Sequence, residues 1–147
     1  MANFTHREVD KDADLEFGRV AHHAAYRDVV TRQFGSWNES VQDGFFRDGW
    51  NRAPHKVLMV DGTPIGICSS AVNQDHVFLS ELQILPEFQG QGIGTAVVQE
   101  LMSEAKKLGL PLRLQVLREN KAQELYRRLG FIVTGSTDFH VKMEWKG

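Results

Sequence analysis

The sequence has little of several features that define other classes of protein. It contains one cysteine, Cys68, in 147 residues, so an internal disulfide is excluded. No stretch approaches the roughly 18 apolar residues that a membrane span requires. The net charge of -2 provides no basic field for a nucleic-acid backbone. The polar amino terminus is unlike a signal peptide, so we expect a cytoplasmic globular protein with no membrane or nucleic-acid partner.

The sequence also lacks the residue spacing of a metal site and any sign of a domain boundary. The 6 histidines show no arrangement such as His-Glu-x-x-His, so we expect no metal. The chain has no repeat, no low-complexity segment and no linker-like stretch. We therefore expect one domain over residues 1–147.

The spacing of apolar residues changes along the chain. It is helical in the first third, alternates between apolar and polar residues in the middle, and then includes helical spacing again. In the first third, helical spacing predicts segments that end at Gly35 and Gly49, with Asn38 as a helix N-cap. Alternation and turn residues then predict strands, and two further helices follow. The predicted strands are 4–9, 56–60, 64–72, 76–85, 112–117, 131–136 and 139–145, and the later helices are 93–108 and 121–129.

The order of these elements predicts an α/β (α+β mixed) fold. A strand, a helix and a strand follow one another over residues 76–117, which requires a right-handed crossover and two parallel strands. The other neighbours are joined by hairpins. We expect a mixed, mostly antiparallel sheet of six or seven strands with about four helices.

A glycine-rich stretch, PEFQGQGIGTAVV, connects strand 76–85 to helix 93–108. A turn that enters a helix presents unpaired backbone N–H groups and a partial positive charge, so it suits an anion. The dinucleotide-binding spacing fails, because its third glycine would fall at Thr95. The Gly-Lys-Ser/Thr of a P-loop is also missing. What remains is Gln89-x-x-Gly92-x-Gly94.

This pattern, after the strand ending LQILP, resembles the acyl-CoA-binding motif of the GCN5-related N-acetyltransferase (GNAT) superfamily. A second stretch, NKAQELYRRLGF at 120–131, is similar to the next segment of that superfamily. The close resemblance covers 79–131. It implies a GNAT-like fold with splayed central parallel strands, acetyl-CoA as co-substrate, and a small-molecule or peptide amine as acceptor. It leaves a homodimer open.

The resemblance also implies a set of residues that bind coenzyme A. The backbone amides of the glycine stretch hold the pyrophosphate, and backbone groups at the end of the preceding strand pair with the pantetheine arm. Asn120 contacts pantetheine, and it can also cap the last helix, with Gln123 completing a box-like pair. The full set is Gln83, Ile84, Leu85, Gln89, Gly90, Gln91, Gly92, Ile93, Gly94, Thr95, Asn120 and Tyr126.

Two residues are candidates for acid–base chemistry. By resemblance Tyr126 lies at the CoA sulfur and stabilises the leaving thiolate; the alternative is an ordinary buried tyrosine. Glu81 is the candidate base, as the only acidic residue in strand 76–85; the alternative is an outward carboxylate on the sheet. The acceptor pocket is assigned to Tyr26, Trp37, Glu81 and His140, although such aromatic residues also suit a core.

Three classes of function follow from these patterns. The first is direct transfer of an acetyl group from acetyl-CoA to an amine, with no covalent acyl-enzyme. The second is a non-catalytic acyl-CoA-binding or sensing domain that keeps the glycine loop. The third is a nucleotide-binding regulator that uses the same loop.

Overall fold

A computed structural model describes residues 3–147, which form four α-helices and seven β-strands with a short 3-10 turn at Pro86–Phe88. The elements are β1 (Thr5–Glu8), α1 (Leu15–Phe34), α2 (Glu39–Arg52), β2 (Lys56–Val60), β3 (Thr63–Val72), β4 (Val77–Ile84), α3 (Ile93–Leu108), β5 (Leu112–Leu117), α4 (Ala122–Arg128), β6 (Ile132–Ser136) and β7 (His140–Trp145).

The strands form one mixed sheet in the order β1-β2-β3-β4-β5-β7-β6. The predicted fold class is therefore confirmed. The chain divides into two compact units, and β3 and β4 each contribute to both. One unit contains the described residues up to Ser69 together with Glu81–Ile93; the other contains Ser70–Ser80 and Gly94–Gly147.

In the first unit, helices α1 and α2 pack together over the antiparallel strands β1, β2 and β3. Its core contains Ala21 and Phe46 with Trp50 and Ile67, all at most 4% exposed. Gly18 permits this helix pair, because a Cβ there would lie 2.6 Å from Trp50 Cζ3. The close approach therefore requires glycine on α1.

The helix boundaries in this unit follow the predicted signals, with one exception. Gly35 ends α1 in a left-handed conformation (φ 85°), and the Asn38 side chain accepts from the Val41 amide at 3.0 Å to begin α2. The prediction that Gly49 ends α2 is wrong. The helix continues to Arg52 because Trp50 is buried in the core, and it stops where Ala53 becomes extended before Pro54.

The second unit contains the predicted crossover. The first residues of β4 pair in parallel with β5, from Val77↔Leu112 to Leu79↔Leu114, which confirms the parallel assignment. Strand β7 then pairs with β5 on one side and with β6 on the other, both antiparallel. Of the helices in residues 3–147, none is both long and apolar enough to cross a membrane.

Candidate active site

The carboxyl half of β4 places Glu81 and Gln83 on one face of the sheet, because side chains two residues apart on a strand share a face. Glu81 is half-buried and Gln83 is 1% exposed. The Glu81 carboxylate accepts from the Gln83 side-chain amide and from the Tyr26 hydroxyl of α1. A Cβ on Gly49 of α2 would lie 3.9 Å from Glu81 Oε1. Glu81 thus lies against both helices and is not an outward carboxylate.

The surroundings of Glu81 raise the pKa of its carboxyl group above the ordinary value of 4.5. Burial is the largest cause, since the charged form loses water. The hydrogen bonds from Gln83 and Tyr26 act in the opposite direction by stabilising the carboxylate. The net result is a carboxylate more basic than one in solution, which suits proton acceptance near neutral pH.

At the end of β4, one edge of the strand is hydrogen-bonded to β3 and the opposite edge faces away from β3. The Leu85 amide donates to the Ile65 carbonyl of β3 at 2.8 Å, so the Leu85 N–H predicted to be open to a ligand already has a partner. Successive residues of a strand direct their N–H and C=O groups to opposite edges. Ile84 therefore directs its backbone groups away from β3, and of the three predicted residues it is the one placed to meet a ligand there.

The glycine loop between β4 and α3 is exposed from Gln89 to Gly92. Gly90 and Gly92 have φ values of 75° and 81°, and Gln91 between them keeps a negative φ. Alternating signs of φ bring successive N–H groups onto one concave path, which suits an anion. A Cβ on Gly90 would meet no heavy atom of the described chain within 4 Å. The left-handed backbone, rather than crowding, is what requires glycine at position 90.

Gln89 anchors this loop to the strand that precedes it. Its side-chain amide donates to the Ile84 carbonyl at 2.8 Å. At the far end, Ile93 is buried while Gly94 and Thr95 are half-buried at the first turn of α3. The first residue of the Gln89-x-x-Gly92-x-Gly94 motif therefore has a structural role, which is to hold the end of β4 and the loop together.

A chain of hydrogen bonds joins α1 to α2 beside Tyr26. His23 Nε2 lies 2.6 Å from Asp43 Oδ1, and His23 Nδ1 lies 2.9 Å from His22 Nδ1. Burial, and next the neighbouring His23, lower the pKa of His22 to about 4, so His22 is neutral at pH 7. The His22 ring contacts the Tyr26 ring with centroids 4.9 Å apart. The chain therefore supports the tyrosine that bonds to Glu81.

The carboxylates at the outer end of this chain already have a cationic partner. His23, Glu39 and Asp43 offer ligand atoms within 4.8 Å of one another, a grouping that is compatible with a metal ion. Arg19, however, bonds to Asp43 at 2.8 Å and to Glu39 at 2.9 Å. We therefore assign the group to an ion-pair network between the two helices.

The predicted acceptor residues lie in different places. Tyr26 contacts Glu81, as described. Trp37 is half-buried; its Nε1 donates to Glu39 at 2.6 Å, and its ring lies against His23 and beneath Arg27. It therefore belongs to the ion-pair network. His140 begins β7 in the second unit.

In the second unit, Asn120 begins the segment that contains Tyr126. The Asn120 side chain accepts from the amide of Ala122, the first residue of α4, at 2.9 Å, but the N-cap position itself is Lys121. Gln123 does not complete the predicted box; its amide donates to the Arg118 carbonyl at 2.8 Å instead. Tyr126 is 5% exposed and packs edge-to-face against Phe131, with centroids 5.5 Å apart.

Sequence reasoning missed three features of this site. These are the side chain of Gln83, which was assigned only through its backbone, and the residues Asp43 and Arg19. The role of the Gln83 side chain could have been predicted from the sequence, since a polar residue two positions from Glu81 on a strand lies on the same face. No sequence pattern indicates the roles of Asp43 and Arg19, because their partners are set by how α1 packs on α2.

Solved structures share this architecture. The crystal structure of the PaiA N-acetyltransferase from Thermoplasma acidophilum, in complex with coenzyme A, superposes with a TM-score of 0.79 over 99% of this chain and 100% of that one, at 21% sequence identity. The ribosomal-protein-S18-alanine N-acetyltransferase from Escherichia coli superposes with a TM-score of 0.68 over 98% and 94%, at 23% identity. The fold is thus that of the N-acetyltransferases.

Sequence comparison gives the family. An uncharacterized N-acetyltransferase of Methanocaldococcus jannaschii is 31% identical over 89% of this chain and 62% of its own length. The thialysine N-epsilon-acetyltransferase of Bos taurus is 31% identical over 56% of this chain and 59% of its own. The chain thus spans about three-fifths of the length of these two relatives. A sequence model of the acetyltransferase (GNAT) family matches residues 22–131, so the chain belongs to that family.

Proposed function

We propose that this chain transfers an acetyl group from acetyl-CoA to an amine by direct attack on the thioester, and that residues 1–147 act as one acyltransferase domain. The observation that carries the proposal is the position of Glu81. This carboxylate, with its raised pKa, lies on the segment of β4 that leads directly into the glycine loop. Membership of the family supports the same reaction.

The residues present fit the coenzyme. The segment from Gln89 to Thr95 offers consecutive amides, exposed from Gln89 to Gly92 and with left-handed backbone at Gly90 and Gly92. Such a segment suits a pyrophosphate. Ile84 directs its N–H away from β3, as pairing with an extended amide-containing arm requires, while its carbonyl already accepts from Gln89. When bound, acetyl-CoA supplies the activated acyl group.

Glu81 acts as the base in this proposal. An amine whose pKa is near 10 is mostly protonated at pH 7, and only the neutral form attacks a carbonyl carbon. Glu81 accepts the proton from the amine nitrogen, and its raised pKa brings its basicity closer to that of the proton donor. The Ile84 N–H is the donor we assign to the carbonyl oxygen, on which negative charge develops during attack.

Tyr126 stabilises the leaving thiolate. The reference pKa values are about 10 for tyrosine and about 8.5 for a thiol, so a hydrogen bond from the hydroxyl is favoured over full proton transfer. The burial of Tyr126 supports this role, because a hydrogen bond to a charged atom is stronger away from water. Asn120 is the residue that we assign to the pantetheine arm.

The acceptor is a small-molecule or peptide amine. The Bos taurus relative is, by its name, an acetyltransferase of an amino group, which supports this chemical class. Tyr26 and Glu81 line the acceptor side in this proposal. Trp37 belongs to the ion-pair network, and His140 as an acceptor residue stays a prediction. A homodimer and a cytoplasmic location stay predictions.

The test is a panel of amines incubated with acetyl-CoA while free CoA thiol is measured. The proposal predicts thiol release that depends on the amine, with at least one good acceptor. Calorimetry with CoA, ATP and NAD accompanies it. Tight binding of acetyl-CoA with no release on any amine would favour a sensing domain, and preferential binding of ATP or NAD would favour a nucleotide-binding regulator.

A further inference from the structure

In the described chain, the side-chain amide of Gln83 has a hydrogen-bond partner for its nitrogen but none for its oxygen. It is 1% exposed, and its Nε2 donates to Glu81 Oε2. Its Oε1 is buried and has no hydrogen-bond partner within residues 3–147. A buried carbonyl oxygen without a donor is costly, so such groups in proteins call for a physical reason.

The reason lies in the charge of Glu81. A carboxylate only accepts hydrogen bonds, so an ionised Glu81 selects the nitrogen of the neighbouring amide. The opposite side of the amide makes no bond to any described residue that would favour either orientation. Among the hydrogen bonds of the described residues, the one to Glu81 therefore sets the orientation of the Gln83 amide.

Protonation of Glu81 on Oε2, the oxygen that faces the amide, reverses this preference. A carboxylic acid carries an O–H donor, and an amide nitrogen cannot accept from it. Rotation about the Cγ–Cδ bond of Gln83 exchanges Nε2 and Oε1, which are nearly identical in size. The rotated amide places its oxygen where the Glu81 proton can reach it, and needs no movement of the backbone.

We propose that Gln83 is a positioning residue that follows the proton of Glu81, donating to the carboxylate and accepting from the carboxylic acid. The inference rests on the proposed role of Glu81 as base. In each turnover Glu81 takes a proton from the amine nitrogen, the amide rotates to accept from the new O–H, and it returns when the proton leaves to solvent. The base thus keeps its partner in both states.

Within residues 3–147, no charged side chain acts on the pKa of Glu81 beside this pairing. From α1, the Tyr26 hydroxyl faces Glu81, and from α2, Gly49, which has no side chain, lies beside it. Apart from burial, Tyr26 and Gln83 are the influences on the pKa of this carboxyl, and neither is a charged residue at neutral pH. Any change with pH in the NMR resonances of the Gln83 amide below pH 9 therefore reports the protonation of Glu81.

The test is an NMR titration of the wild-type protein labelled with ¹³C and ¹⁵N. The side-chain ¹⁵Nε2 and ¹³Cδ resonances of Gln83 are followed together with the ¹³Cδ resonance of Glu81. We expect both Gln83 resonances to move with the midpoint of Glu81, the ¹³Cδ downfield at low pH as the oxygen becomes an acceptor. If only the ¹⁵Nε2 resonance shifts with pH, the Gln83 amide stays a donor and never rotates. If neither Gln83 resonance shifts, the amide is not coupled to the protonation of Glu81. Either result overturns the proposal.

Two controls make the result specific. In Glu81→Gln the Gln83 resonances should become independent of pH, and if they still titrate the coupling to Glu81 is refuted. Gln123, whose amide donates to the Arg118 carbonyl, is the reference signal. The titration does not require acetyl transfer, so a coupled pair in a protein that releases no CoA would remove the proposed function and leave the pairing intact.

Discussion

The Tyr26 hydroxyl of α1 donates a hydrogen bond to the Glu81 carboxylate of β4. This contact joins helix α1 to the strand that precedes the glycine loop. It holds the candidate base in place while burial raises its pKa. The first prediction concerns this carboxylate.

Replacing Glu81 by Gln should lower turnover by about 10²-fold or more, because general-base catalysis contributes on that order. The rising limb of the pH–rate profile should flatten, since the group that must lose its proton is gone. Acetyl-CoA affinity should stay unchanged. Glu104→Gln, an exposed carboxylate on α3, is the matched control. An unchanged pH profile would remove Glu81 as the base.

Replacing Tyr126 by Phe should lower kcat by at least about tenfold while the Kd for acetyl-CoA changes little. The reason is that the hydroxyl acts on the departing sulfur, whereas the ring keeps its packing against Phe131. Steady-state kinetics and calorimetry measure the two quantities. An equal loss in both, or no change in kcat, contradicts this role of the hydroxyl.

Replacing Gly90 by Ala should weaken acetyl-CoA binding. A side chain at φ 75° costs about 1–2 kcal/mol, so the loop leaves the conformation that aligns its amides. Gly35→Ala is the matched control, because Gly35 has φ 85° and equally open surroundings in the described chain but caps α1. Both variants should lose similar stability, and only the first should lose affinity. Equal affinity in the two would exclude the loop from coenzyme binding.

Replacing Gly18 by Ala should destabilise the fold by about 1–3 kcal/mol, because its Cβ would lie 2.6 Å from Trp50 Cζ3. Gly44→Ala on α2 should act in the opposite direction and stabilise by about 0.5–1 kcal/mol. Gly44 is exposed, and a Cβ there meets nothing within 4 Å in the described chain. Denaturant unfolding compares the two, and a stabilising Gly18→Ala would refute the close helix packing.

Lowering the pH from 6.5 to about 4 should destabilise the protein through His22. The pKa of His22 is about 4 in the folded state and 6.5 without the fold, so the unfolded chain binds the proton first. The stability that neutral His22 contributes, on the order of 3 kcal/mol, is complete above pH 6.5 and is lost as pH falls. His22→Asn should show a weaker pH dependence in this window; an identical slope would contradict the burial of a neutral imidazole.

The parts that could be predicted from sequence depend on neighbouring residues. The Asn38 cap and the glycine loop each carry their signal within a few positions. The parallel pairing of β4 with β5 followed from element order alone.

The parts that could not be predicted depend on packing between distant segments. The helix continues through Gly49 because Trp50 fills the core. Likewise, the contacts of Glu81 with Tyr26, and of His23 with Asp43, join residues whose separation in sequence has no periodic signal. Side-chain orientation on β4 was predictable in principle, since Gln83 and Glu81 must share a face.

The central claim is that this chain moves an acetyl group from acetyl-CoA to an amine with Glu81 as base. The most direct measurement follows free CoA thiol and N-acetylated product together, for the best acceptor in the amine panel, in wild type and Glu81→Gln across pH 5 to 9. We predict equal amounts of thiol and acetylated amine in the wild type, and a rising limb that the variant lacks. Thiol release without acetylated amine, or no release with any amine, would contradict the account.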